Sequence, residues 1–278
     1  MNKKGHVALG VAIGSAALVS PYLNPYVSSG SSWQAICSSV LYLAAVAAAS
    51  LAPDLDHKTS TASNLLQLSS SKRKGAWMLG WLLLIAGLIL FLLPQVGYAL
   101  PEKATACAPF LLGTGILAFS LSKLRSLLLL AGGAGLLTAY MLYDWPWIAA
   151  FAGVALCLMP VIQHRGLIHT PEFAIALSAG LWTFAQGEAW WVQAICAGAV
   201  IGWWAHLAGD LFGREGIHSF LLPKVKVALH LFDNGGLVER TIARSCWLVS
   251  ITMWLLYIVA TCTSTQIVPG ARAILELY

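Results

Sequence analysis

Residues 72–99 read KRKGAWMLGWLLLIAGLILFLLPQVGYA: three basic residues, then an uncharged apolar run from Ala76 to Ala99. About 20 apolar residues carry a helix across the hydrocarbon of a bilayer. The apolarity is continuous rather than alternating, which excludes a membrane β-barrel. This stretch makes the chain an all-α, polytopic membrane bundle, and the remainder repeats its pattern. Further apolar runs at 5–20, 33–52, 104–121, 126–143, 145–163, 171–187, 190–211 and 246–268 bring the expected number of spans to about nine.

Composition agrees. Of 278 residues, 59% are hydrophobic and 10% charged, against roughly 25% charged in a soluble domain, and the mean hydropathy is +0.77. The expectation is a single membrane-embedded domain over 1–278, with a cytoplasmic or interfacial segment at about 212–245. In that segment Val225, Val227, Leu229 and Leu231 alternate with Lys226, Ala228, His230 and Phe232 ahead of an Asp233-Asn234-Gly235-Gly236 turn. That pattern fits a short hairpin, or a strand lying on lipid headgroups. The six cysteines sit in or beside apolar runs with no C-x-x-C pair, so neither a disulfide framework nor a thiolate zinc site is indicated.

Charge sets the orientation. With the N-terminus in the cytoplasm, all 16 basic residues except Lys103 and Arg272 fall on the cytoplasmic side, as the positive-inside rule requires. The net charge of +5 therefore follows membrane topology and gives no reason to expect a nucleic-acid partner. The first run, behind Lys3 and Lys4, is also similar to a signal peptide, but Pro21 follows without a small-x-small cleavage site.

The same topology gathers polar residues at one face. His6 opens the first run, and Asp54, Asp56 and His57 close the second. His164, Arg165 and His169 lie between the sixth and seventh, and His206 and Asp210 end the eighth. Ionisable groups at membrane depth are expensive and mark functional sites. His206 and Asp210 are four apart, so both project from one helical face. Pro53 stops helix continuation ahead of the two aspartates, and Gly166 permits a tight turn before His169. Imidazoles and carboxylates without thiolates suit zinc, with manganese or iron as alternatives, as one ion or two.

In order along the chain, Gly5-His6, Pro53-Asp54-Leu55-Asp56-His57, His164-Arg165-Gly166 with His169, and His206 with Asp210 resemble the family identified as LexA-regulated, membrane-bound metal-dependent hydrolases. The resemblance covers most of the chain. Less specific matches run from Gly216-Ile217 to Pro223 and over Gly235-Gly236 with Glu239. This chain departs from the family's pattern at Ile168-His169-Thr170, where Thr-His-Ser is usual, and at Gly213, where a Thr is common. The resemblance implies hydrolysis by metal-activated water. His6, His57, His169, His206 and Asp210 are then the direct ligands, and Asp54 or Asp56 bridges ions or takes the proton from water. His164 and Arg165 join the catalytic candidates, with Arg165 holding a phosphate oxygen. A site at the membrane edge points to membrane lipids as neighbours and to a phosphoester of a lipid or lipid-linked molecule as substrate. Two other readings stay open: a metal-ion or proton transporter, and a membrane scaffold with a structural metal.

Overall fold

Apolar runs in lipid fold as helices because each backbone N–H and C=O is then satisfied within its own segment. The structure, a computed structural model of the chain, describes residues 1–20, 32–56, 66–161, 166–214, 216–222 and 224–264. Each expected span corresponds to one helix among these residues. They are α1 (Lys3–Leu18), α2 (Ser32–Ala49), α3 (Ser70–Leu92), α4 (Glu102–Ser122), α5 (Leu124–Leu142), α6 (Trp147–Leu158), α7 (Pro171–Ala185), α8 (Trp190–Phe212) and α9 (Leu237–Ser264).

The helices are less uniform than their hydropathy. Five are long and apolar enough to cross a membrane: α3 with its continuation to Val96, α4, α5, α8 and α9. Helix α6 has 12 residues, α7 has 15 and α1 has 16, all short of the ~20 that a perpendicular crossing needs. Helix α9 also begins earlier than expected, at Leu237 rather than 246. Its first turns carry Glu239, Arg240 and Arg244, which hydropathy excludes from a span. The Glu239 carboxylate reaches back to accept from Gly235 N at 2.5 Å and from Asn2 N at 2.7 Å, which supports the helix start. The described residues between 213 and 236 are accordingly non-helical. Of the alternating stretch 225–231 only Lys226–Val227 (β2) is a strand, and it pairs antiparallel with Ile217–His218 (β1), Ile217 opposite Val227, so the hairpin turns before this stretch and not at Asp233–Gly236.

Two compact units partition the chain. The first comprises Met1–Asp54, Trp145–Phe151 and Ile162–Tyr278. Within it α8 lies along α2, α1 packs on α2, α8 and α9, and α7 packs on α8. Leu18, Tyr42, Val46, Ala194 and Tyr257 form a buried core there. Small residues let the backbones approach: a Cβ placed on Gly202 would stand 2.8 Å from the Ala49 Cβ, and one on Gly198 2.8 Å from the Ala45 Cβ. Such contacts replace the hydrophobic drive that helices lack among lipid tails.

The second unit comprises Leu55–Asp144 and Ala152–Val161. It is built on the α3–α4 pair, with Gly80 against Phe119 and Gly115 against Leu84. The buried Arg125 guanidinium donates to the Leu55 carbonyl, from Nε at 3.2 Å and also from NH2.

Candidate metal centre

Helix ends of the first unit deliver the polar residues to one place. Asn2 caps α1 by accepting from Gly5 N at 2.9 Å, and this start sets His6 in the first turns. Pro53 follows the end of α2, and a 3₁₀ turn over Pro53–Asp56 carries Asp54. A second such turn, Leu167–His169, carries His169 just before Thr170 caps α7 with its hydroxyl. The last turns of α8 present His206 and Asp210. All four segments lie at or beside helix ends, where backbone groups are unsatisfied by the helix itself.

The side chains converge. His206 Nε2 lies 3.4 Å from Asp210 Oδ2 and 3.9 Å from Asp54 Oδ1. His6 Nε2 is 3.4 Å from Asp210 Oδ1, and His169 Nε2 is 3.8 Å from Asp54 Oδ1. The His6 and His206 rings stack with centroids 4.0 Å apart, and His169 meets His206 edge-on at 5.2 Å. The Met1 ammonium is 3.3 Å from Asp210 Oδ1. Four of the five side chains are sealed, at 0–3% exposure, and Asp54 alone is open, at 25%. Burial would raise the Asp54 carboxyl, but His169 at 3.8 Å and the nearby His206 and His6 together hold it below the usual value.

One backbone contact decides the chemistry of His206. Its Nδ1 stands 2.8 Å from the Ser50 carbonyl oxygen at the end of α2. A carbonyl can only accept, so Nδ1 carries a proton, and in the neutral ring Nε2 then presents its lone pair to the site. Second contacts of this kind orient metal-binding histidines. Nε2 of His206 and Nδ1 of His6 are both buried without a hydrogen bond, although buried polar atoms are normally paired.

This donor set fits a divalent cation. His6, His206 and Asp210, and likewise Asp54, His169 and His206, each offer one ligand atom within 4.8 Å of the others. Two atoms each 2.0–2.2 Å from a tetrahedral ion lie about 3.3–3.6 Å apart, which is near the spacings seen here and longer than a good hydrogen bond. Of the residues expected from sequence, His6, Asp54, His169, His206 and Asp210 are thus brought together. Asp56 lies on the backbone of the same turn as Asp54. His57, His164 and Arg165 fall outside the described residues. His218 and His230, in and after the hairpin strands, belong to neither group. Sequence reasoning missed the Ser50 carbonyl, since a backbone acceptor leaves no side-chain trace.

A family model described as "YdjM inner membrane protein" matches residues 1–268, nearly the whole chain. No curated protein and no solved structure matches.

Proposed function

We propose that this chain, which belongs to the YdjM inner membrane protein family, is a membrane-embedded metal-dependent hydrolase. Its substrate is the phosphoester of a lipid or lipid-linked molecule, reached from the cytoplasmic face. The observation that carries this reading is the His206 Nε2 lone pair. It is fixed by Ser50 and ringed by His6, His169, Asp54 and Asp210 with no hydrogen bond of its own. A nitrogen lone pair binds one ion, so the two ligand groups that share it describe one position, and we assign a single cation, zinc first.

Such an ion, when bound, makes water acidic enough to ionise near neutral pH. The protein's own residues do the rest. His6, His206 and Asp210 would hold the ion in a sealed pocket, three ligands that leave a fourth position for water, with His169 beside Asp54 at its edge. Asp54, open to the outside, is placed to accept a proton from the attacking water. Arg165, with two fixed rows of donors, is the group to clamp a phosphate oxygen. An apolar groove of about 430 Å³, lined by Leu181, Trp182, Ala197, Val200 and Ile201 among others, runs along the halves of α7 and α8 that lie away from His169 and His206, so the substrate class rests on the membrane setting of the site and not on this groove. The cytoplasmic placement rests on the distribution of basic residues.

A structural metal is the second reading, because His6, His206 and Asp210 are sealed and tie α1 to α8. An open ligand position distinguishes catalytic from structural sites, and the exposure of Asp54 favours catalysis. The test is metal content of the purified protein beside His206→Ala with Asp210→Ala. About one equivalent of zinc or manganese per wild-type chain, lost in the double variant, is expected. A folded, reconstituted wild type that takes up no metal would sink the proposal.

A further inference from the structure

The stretch between α8 and α9 lies outside the helices yet exposes a concentration of apolar side chains. Phe220, Leu221 and Leu222 are 56%, 73% and 62% exposed, and Val225, Val227, Leu229 and Leu231 follow at 44%, 47%, 49% and 61%. Lys224 and Lys226 stand exposed among them, while Arg214 is neutralised by Asp233. A loop facing water has little reason for this composition, because connections on a soluble surface are built from polar and turn-forming residues.

The hairpin is also held to the end of a membrane helix. Gly216 N donates to the Asp210 carbonyl at 3.0 Å, Leu229 N to that of Leu211 at 2.8 Å, and Leu231 N to that of Phe212 at 2.9 Å. From the other side Glu172, in the first turn of α7, accepts from the Ser219 hydroxyl, from Phe220 N at 3.1 Å and from Leu221 N at 3.4 Å. Both flanking helices, α8 and α9, are long enough to cross the membrane. The hairpin therefore cannot leave the plane where they emerge. An apolar face mixed with lysines at that depth has the character of an interfacial element.

We infer that the hairpin is a lipid-docking strap: Phe220, Leu221 and Leu222 enter the headgroup–acyl boundary, and Lys224 and Lys226 bind anionic phospholipid headgroups. Its attachments give the strap a purpose. It is bonded to the carbonyl of Asp210 and to Glu172, three residues beyond His169, so docking fixes the end of the first unit that carries the histidines at the lipid surface. This holds whether or not the cluster is catalytic.

Hydrogen exchange of the full chain in nanodiscs tests the inference, comparing phosphatidylcholine alone with a mixture holding about 30% phosphatidylglycerol. Exchange in peptides covering Ser219–Leu231 is expected to slow by about tenfold in the anionic discs, an effect within reach of two lysines. Lys224→Gln with Lys226→Gln removes that difference and leaves the exchange in neutral discs unchanged. Leu221→Ser with Leu222→Ser speeds exchange in both. Exchange in α8 and α9 reports folding, and if the leucine pair disturbs it, the lysine pair decides. Equal exchange in both disc types, unaltered by the lysine pair, would overturn the inference. So would protection that appears only when soluble protein is added.

Discussion

Asp54 is set apart from the four residues around it by access. Their side chains are almost completely enclosed, whereas a quarter of the Asp54 side chain is open. An accessible carboxylate beside a cluster of imidazoles is placed to take a proton. Asp54→Asn retains the shape and one ligand oxygen but loses the basicity. We predict that it lowers turnover of a lipid phosphoester by at least about a hundredfold, the usual range for a general base, while metal content stays at the wild-type level. Parallel assays and elemental analysis check this. Loss of the metal together with activity would make Asp54 a ligand instead, and undiminished turnover would remove it from the chemistry. At this scale the sequence is legible where chemistry resides in side chains at helical spacing. His206 and Asp210 can be paired by their four-residue separation alone. The Ser50 carbonyl that sets the tautomer of His206 cannot be found that way, because every residue has a carbonyl.

Elements terminate for reasons that hydropathy does not register. Helix α9 starts well before its apolar run because Glu239 closes the Gly235 turn and charged residues can form the helix's first turns outside lipid. Helices α6 and α7 stop sooner than their apolar runs, since a run records solvent preference and not where the chain bends. Glu172 shows the same limit. From sequence it is a charge after Pro171 at a helix start, favourable there through the helix dipole, and its contact with residues 219–221 is long-range. That contact can be tested by removing it. Glu172→Ala is expected to speed hydrogen exchange at residues 220–222 relative to the wild type, because the carboxylate that accepts from Ser219, Phe220 and Leu221 is gone. Unchanged exchange there would mean that the tie does not form.

For the whole molecule, helix lengths and basic residues have to agree on which segments cross. Helix α3 is the clearest case: Ser70–Val96 is the most apolar of the long helices, with Lys72, Arg73 and Lys74 at one end and Lys103 beyond the other. Dehydrating a lysine at the bilayer centre costs a few kcal/mol, so these two groups of charges belong on opposite sides. The hairpin lysines follow α8, another long helix, and the positive-inside rule puts them with Lys74. In a background lacking the six native cysteines, we predict that Lys74→Cys and Lys224→Cys react with a membrane-impermeant thiol reagent in inverted inner-membrane vesicles but not in intact spheroplasts. Lys103→Cys should show the reverse. If Lys74→Cys and Lys103→Cys react from the same side, α3 does not cross and the expected order of spans fails. If Lys224→Cys reacts only from the outside, the hairpin lies on the outer face. The histidine cluster bonded to that hairpin would then lie there too, and a cytoplasmic substrate would be excluded even with the metal site intact.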